Sequence, residues 1–290
     1  MGSNNQKLVS IGIPFFNSEM FLANAINSVI NQTYIHWELF LIDDGSNDKS
    51  LEIAKEFEIG DTRIKVLSDG KNLGLPARLN QLSQLASGKY YARMDADDMM
   101  HPERLAIQVN YLIENNEVDL LGTGLIAIDN KNNITGIRKG TFMKNFTLQQ
   151  VLTTTWCVHP TITGKSEWFK NNPYDERMKR AQDYELWMRT VEQSNFVRLE
   201  RPLLFYREAS TPSLIKYFKS TQYSLKIFQK NRKKIGNLNM IKMSLIKIIK
   251  LSIYFLLSLF NATDKLIQRR SVTILERDKR SYQSILDKIK

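Results

Sequence analysis

Two hydrophobic rhythms alternate through the first 130 residues. Short, nearly unbroken apolar runs are followed by stretches whose apolar residues recur every three or four positions. Leu8 to Ile13 is the first such run and ends at Pro14. Ser18 is placed to cap a helix reaching about Asn31, with Phe21, Ala25 and Val29 at helical spacing. Glu38 to Ile42 reads as a second buried strand, stopped by Asp43-Asp44-Gly45-Ser46, and Asp48 then caps a helix carrying Leu51, Ile53, Ala54 and Phe57. Arg63 to Leu67 is a third strand, and a helix follows the Asn72 to Pro76 loop as far as about Ala86. Lys89 to Met94 is a fourth, ending in Asp95-Ala96-Asp97-Asp98, with Pro102 suited to the first turn of a helix through about Asn115.

Strands separated by helices of about 10–15 residues imply βαβ units and a parallel sheet. The fold class is therefore α/β, a mostly parallel Rossmann-like sheet flanked by helices. In such sheets ligands bind beyond the carboxyl ends of the strands. Pro14 to Asn17, Asp43-Asp44, the loop after Leu67 and Asp95 to Asp98 all follow strand ends. One mouth of one sheet is expected to gather aspartates, an arginine and aromatic rings.

Beyond Asn130 the pattern is mixed. Leu120 to Ile128 reads as a strand, Asn130 to Asn133 as a turn, Thr147 to Leu152 as a helix and Pro160 to Thr163 as a short β-like piece. Ala181 to Val191 reads as a helix, and Phe196 to Tyr206 as strand-like runs broken at Pro202.

From Thr211 the chain changes character. Residues 211–290 hold 18 Lys/Arg against 4 Asp/Glu, a net +14, whereas the preceding 210 residues sum to −3. A basic tail suits nucleic acid or an anionic membrane surface. Its centre, Ile241 to Phe260, is strongly apolar. Lys242, Lys247 and Lys250 interrupt it, and the uncharged stretch Leu251 to Thr263 is too short to span a bilayer. An in-plane interfacial helix fits better, with lysines near lipid phosphates and Phe255, Leu256, Leu259 and Phe260 inserted. The alternative is a helix packed on the protein's own body or on a second copy. Nucleic acid is disfavoured because the basic residues are interleaved with a long aliphatic face. The lone cysteine, Cys157, cannot form an internal disulfide, and Met1 to Gln6 lack an apolar signal core, so a cytoplasmic setting is the expectation.

Candidate chemistry centres on Asp95-Ala96-Asp97-Asp98. Several carboxylates so close repel one another, and each requires a cation or hydrogen bonds. Mg²⁺ and Mn²⁺ prefer oxygen ligands and bind one or two carboxylates together with phosphate oxygens. The plain alternative is an acidic turn with Asp98 as a helix cap. Asp44 is a candidate acceptor of hydrogen bonds from a base or ribose, or simply part of a βα loop. Arg78 suits a phosphate or an aspartate, or else a solvated helix face. Asp183, opening a helix rich in aromatics, is a candidate general base or an acid that favours the helix dipole. His159 before Pro160 is a base, a phosphate contact or a satisfied polar residue. No Walker loop, dinucleotide Gly-x-Gly-x-x-Gly or Cys/His zinc spacing is present.

Taken in order, these segments resemble family 2 of the glycosyltransferases, which have the GT-A fold. The matching residues are Val9-Ser10-Ile11-Gly12-Ile13-Pro14-Phe15-Phe16-Asn17, Gln32-Thr33-Tyr34 and Glu38 through Asp48. They continue with Asn72-x-Gly74-x-x-Ala77-Arg78-x-Asn80, Asp95-x-Asp97-Asp98, Pro102-x-Arg104-Leu105, His159-Pro160 and Gln182-Asp183-Tyr184-x-Leu186-Trp187.

The resemblance implies a nucleotide-sugar donor, held by Pro14, Phe16, Asn17, Asp44, Arg78 and Asp95, with UDP as the usual nucleotide. It implies a divalent metal, Mn²⁺ or Mg²⁺, on Asp97 and Asp95, and Asp183 as the base of an inverting transfer. His159, Asp98 and Trp187 become candidate contacts to acceptor or phosphate. Processive members carry Gln-x-x-Arg-Trp and several membrane helices, which are missing here, so transfer of a single sugar is expected. The implied organisation is a transferase domain over 1–210, its 8–130 half binding the nucleotide sugar and its 131–210 half the acceptor, followed by a helical basic and apolar extension over 211–290. A glycan or lipid-linked acceptor, and a peripheral place on the inner face of the plasma membrane through 241–260, complete the expectation. The competing readings are a sugar nucleotidyltransferase, which lacks its Gly-rich phosphate loop here, and a non-catalytic nucleotide-sugar-binding scaffold.

Overall fold

The structure, a computed structural model, describes residues 7–154, 156–208, 213–260 and 274–289. Met1 to Gln6, the 210/211 boundary and Asn261 to Thr263 lie outside the described residues.

Strands β1 (Val9–Phe15), β2 (Trp37–Asp43), β3 (Ile64–Ser68) and β4 (Tyr90–Arg93) pair in parallel in the order β3-β2-β1-β4. Between them run α1 (Leu22–Ile30), α2 (Ser50–Gly60) and α3 (Leu75–Leu85). The sheet continues beyond β4 through β9 (Thr163–Lys165), β6 (Leu120–Ile128), β10 (Phe196–Arg207) and β5 (Met99–Met100). Two further strands, β7 (Ile134–Arg138) and β8 (Met143–Lys144), pair with β6 and β10. The parallel part is thus β3-β2-β1-β4 together with β6 and β10. The short strands β5, β7, β8 and β9 all pair antiparallel, which mixes the second half of the sheet. Pro202 does not end β10; it shifts the register, and pairing with β6 resumes at Phe205.

Period-two alternation divides each central strand between two cores. Leu39 and Leu41 join Ile11, Ile13, Ala25 and Val29 on the face covered by α1, α2 and α4 (Arg104–Glu114). Phe40 and Ile42 face the opposite layer with Leu79 and Leu82 of α3, and with the aromatic cluster Trp156, Trp168, Trp187 and Phe196. That layer contains α5 (Leu148–Thr153), α6 (Ser166–Asn171) and α7 (Gln182–Thr190). A capping box between Thr147 and Gln150 starts α5.

Several helix starts fall later than the sequence suggests. Helix α1 opens at Leu22, because the Ser18 hydroxyl donates to Phe16 O rather than capping the helix. Helix α4 starts at Arg104, after Pro102. The β-like piece at Pro160 is a 3₁₀ turn, His159–Thr161, leading into β9.

The extension forms a helical hairpin against the second core. Helix α8 (Leu214–Lys230), a short α9 (Arg232–Ile235) and α10 (Asn237–Leu259) place Ile227, Phe228, Ile235 and Met243 in that core. Lys230 pairs with Glu185 at 2.7 Å and Asp175 at 3.2 Å, and Lys234 with Glu192 at 3.0 Å. Helix α11 (Glu276–Lys288) returns to the sheet, where Gln283 bonds Asn132 O and Ile134 N. One stripe of α10 stays exposed: Leu245, Ile249 and Leu256 are each more than half exposed. No described helix is long and apolar enough to cross a membrane.

Candidate active site

The loops after β1 and β2 are knitted together. Asp44 N donates to Phe15 O at 2.8 Å, Asn17 N to Ser46 Oγ at 3.1 Å, and Asn47 N to Asn17 Oδ1 at 3.0 Å. Asn17 adopts φ 48°, in the left-handed region that Asn tolerates. Pro14 is buried beneath this seam while the Phe16 ring is 47% exposed at its lip. Gly45, at φ 76°, lies so close to Lys71 and Asn72 that a Cβ there would meet their backbone at about 3.0 Å. The β2 loop and the loop leading to α3 therefore touch main chain to main chain.

Asp44 and Arg78 close this corner. The Asp44 carboxylate accepts from Arg78 Nε at 2.9 Å, Leu73 N at 2.8 Å and Gly74 N at 3.1 Å. Arg78 also donates to Asp69 Oδ1 at 2.6 Å and to Lys71 O. The idea of Arg78 as a solvated helix face is corrected: it is 2% exposed, because four acceptors converge on its guanidinium. A cavity of about 600 Å³ opens beside Arg78, between Leu67 and Asp69 on one side and α3 on the other. Pro14, Phe16, Asp95 and Asp97 do not line it.

At the end of β4, Asp95, Asp97 and Asp98 each bring a carboxylate oxygen within 4.8 Å of the others. Asp98 is no helix cap. It is 1% exposed; its Oδ1 accepts from Arg207 N at 2.9 Å and its Oδ2 has no hydrogen-bond partner among the described residues. Burial, reinforced by Asp95, pushes the Asp97 carboxyl up to about 6. Burial and the charges of Asp97 and Asp95 hold Asp98 well above the usual carboxylate range. Such a cluster takes up either protons or a hard cation. Three carboxylates and an unpartnered buried oxygen suit a divalent ion with oxygen ligands, so the residues present fit the metal that the sequence implies.

Two arginines that sequence reasoning missed organise this cluster. Arg93, 1% exposed in β4, forks onto both oxygens of Asp95. Its charge also lowers Asp97, Asp98, Asp183 and His159. Arg207, at the end of β10, donates Nε to Asp97 O at 2.8 Å and lies 4.1 Å over the Phe21 ring. The available signal was a charged residue ending the apolar strand β4, and another ending the Pro202 to Tyr206 run of β10.

Asp183 sits in the first turn of α7, where its Oδ1 accepts from Tyr184 N at 2.8 Å. Burial raises its carboxyl above the ordinary value, and the charge of Asp95 adds to the rise. Asp183 and Trp187 line a cavity of about 580 Å³, with Thr153 and Thr154 on its rim and α8 and α10 on the far side.

His159 is corrected as a phosphate or acceptor contact. It is 6% exposed, with Nε2 2.8 Å from Tyr174 Oη and its ring edge-on to Trp187. Burial, aided by Arg93, keeps it well below the usual histidine range, so it is neutral and belongs to the aromatic core.

With the geometry in place, the chain can be set beside known proteins. The sequence pattern of glycosyl transferase family 2 matches residues 10–181. An uncharacterized glycosyltransferase of Methanocaldococcus jannaschii is 33% identical over 249 residues, covering 82% of this chain and 84% of the relative. WfgD of Escherichia coli, named a UDP-Glc:α-D-GlcNAc-diphosphoundecaprenol β-1,3-glucosyltransferase, is 31% identical, covering 65% of this chain and 71% of the relative. Among solved structures, the mannosyltransferase PcManGT of Pyrobaculum calidifontis, in complex with GDP-Man and Mn²⁺, covers 99% of this chain and 86% of its own, with a TM-score of 0.58 at 12% identity. That likeness is one of fold, the α/β sheet of the GT-A type.

Proposed function

The chain belongs to glycosyl transferase family 2 and is a glycosyltransferase, and from that premise we propose an inverting, metal-assisted transfer of one sugar from a nucleoside-diphosphate sugar, UDP favoured, to a glycan or lipid-linked hydroxyl. The observation that carries this reading is geometric: a cluster of three carboxylates, Asp95, Asp97 and Asp98, at the strand mouth, and a fourth, Asp183, on a cavity of its own.

Pro14, Phe16 and Asn17 flank the nucleoside. Asp44, whose Oδ2 keeps acceptor capacity, and Arg78 shape the loop against which the base lies. Asp97 and Asp95 would hold Mn²⁺ or Mg²⁺, with Asp98 beside them. When bound, that ion stabilises negative charge developing on the leaving diphosphate. Asp183 takes the proton of the acceptor hydroxyl. That oxygen bonds to the anomeric carbon from the face opposite the diphosphate, and the electron pair of the breaking carbon–oxygen bond leaves with the nucleotide. The raised carboxyl of Asp183 makes it a stronger base once ionised. The exposed apolar stripe of α10 supports docking on the inner face of the plasma membrane, as suits surface-polysaccharide assembly.

Calorimetry with UDP, GDP and dTDP, each with Mn²⁺ and with EDTA, tests the donor half. Metal-dependent binding of one nucleotide, lost in Asp97→Ala, is expected. A folded protein that binds none of them ends the reading.

A further inference from the structure

The Asp183 cavity is closed on one side by the tail. Ser220 and Ser224 of α8, and Lys247 and Lys250 of α10, form that wall. The sequence alone placed these lysines at lipid phosphates outside the protein. Instead Lys247 is half-buried and shares the cavity with the candidate base; its ammonium lies 6.0 Å from the Tyr184 ring centre.

The lysines along this seam divide into two kinds. Lys230 and Lys234 pair with Glu185, Asp175 and Glu192. Lys247 and Lys250 form no ion pair among the described residues. Burial and the charge of Lys250 lower the Lys247 ammonium, as expected for two like charges held one turn apart without a counter-ion. The small side chains of Ser220 and Ser224 face the same space.

One turn further along α10 the surroundings become apolar. A second cavity, of about 620 Å³, lies between Leu214, Ile215 and Phe218 of α8 and Leu251, Phe255 and Leu256 of α10. From Lys247 to Phe255 the helix rises about 12 Å at 1.5 Å per residue. A pair of cations and a greasy groove thus lie along one hairpin, with the candidate base across the first cavity from the cations.

We propose that this row is the acceptor channel for a saccharide carried on a lipid diphosphate. The acceptor hydroxyl lies at Asp183, the diphosphate at Lys247 and Lys250, and the hydrocarbon chain in the groove at Phe255. The assignment rests on Asp183 being the base. An uncharged glycan would leave the half-buried Lys247 ammonium without a counter-ion and the apolar groove empty. Bilayer phosphates would be met by lysines on the outer stripe, whereas Lys247 turns inward.

The test is calorimetry on the full chain with geranyl diphosphate, inorganic pyrophosphate and geraniol. EDTA is present throughout, so that diphosphate capture through metal at the donor site is removed. Geranyl diphosphate is expected to bind, and Lys247→Gln with Lys250→Gln to weaken it by about tenfold or more, in line with losing one half-buried and one exposed charge contact. Lys247→Arg with Lys250→Arg should retain it, and Phe255→Ala should weaken geranyl diphosphate but not pyrophosphate. Geranyl diphosphate that fails to bind, or binds equally to the Gln variant, overturns the channel. So does a Gln variant that loses only its sedimentation with phosphatidylglycerol vesicles, since the lysines would then read the bilayer. UDP with Mn²⁺ on the same preparations separates the two readings. Nucleotide binding without lysine-dependent diphosphate binding removes the channel and keeps the transferase. Lysine-dependent binding in a protein that binds no nucleotide removes the acceptor assignment along with the donor site.

Discussion

Asp44 and Arg78 stand 34 residues apart in sequence and meet at 2.9 Å, with Arg78 almost wholly enclosed. The pair joins the end of β2 to the first turn of α3, and the same carboxylate holds Leu73 N and Gly74 N. It therefore sets the loop that would flank a bound base.

Arg78→Ala removes one partner of an enclosed pair and strands the other. Breaking a buried pair in this way costs about 3–5 kcal/mol. Urea unfolding should show a loss of that order, together with weaker nucleotide binding. Asp69→Asn, at the exposed edge of the same cluster, should cost distinctly less. Equal losses would mean that Asp44 is not the residue Arg78 chiefly serves.

Asp97 carries a raised carboxyl, about 6 in the folded protein. A raised acid stabilises the fold below its unfolded value near 3.8 and loses that contribution as pH rises through about 6. At pH 7.5 in EDTA, Asp97→Asn should therefore melt higher than the wild type, by about 2–4 °C for each kcal/mol relieved. Mn²⁺ with the cognate nucleotide should raise the wild-type Tm and leave that of Asp97→Asn unchanged. Thermal scans with and without EDTA read both effects.

Asp183→Asn should separate stability from turnover. Its carboxyl is raised by burial, so the ionised form costs stability above the raised value, and removing the charge should increase Tm at neutral pH. Turnover should fall by about 10²–10⁴ with donor KM little changed. In the wild type, kcat should decline as pH drops through the raised carboxyl value, on the alkaline side of 3.8. An Asp183→Asn protein with wild-type turnover would falsify its role as base.

The uncovered stripe of α10 offers Leu245, Ile249 and Leu256 to its surroundings. Burying one such side chain in an apolar phase contributes about 1.5–3 kcal/mol. Leu245→Asp with Ile249→Asp should reduce sedimentation with phosphatidylglycerol vesicles by about tenfold or more on that scale, with nucleotide affinity unaltered. Unchanged sedimentation would place the membrane contact elsewhere.

What was legible in the sequence was local. β1 to β4, the intervening helices and the aspartates at their ends follow from periodicity and from turn residues within a few positions of one another. Asp95, Asp97 and Asp98 converge because four consecutive residues leave one strand end. The parts decided by tertiary structure depend on which faces meet. Arg78 stood either as a partner of a phosphate or an aspartate or as a solvated helix face, because the Asp44 carboxylate that encloses it lies 34 residues away. Arg93 and Arg207 matter only once β4 and the end of β10 lie beside the acidic loop. His159 becomes a core residue because Tyr174 folds back onto it. The two-residue and three-residue strands that mix the sheet are too short to carry a period. Helix α10 scatters three lysines through a long apolar run, so its own pattern could not say which side would be covered. Packing against α8 and the Trp187 layer made that choice, turning Lys247 toward Asp183 and leaving Leu245, Ile249 and Leu256 outside.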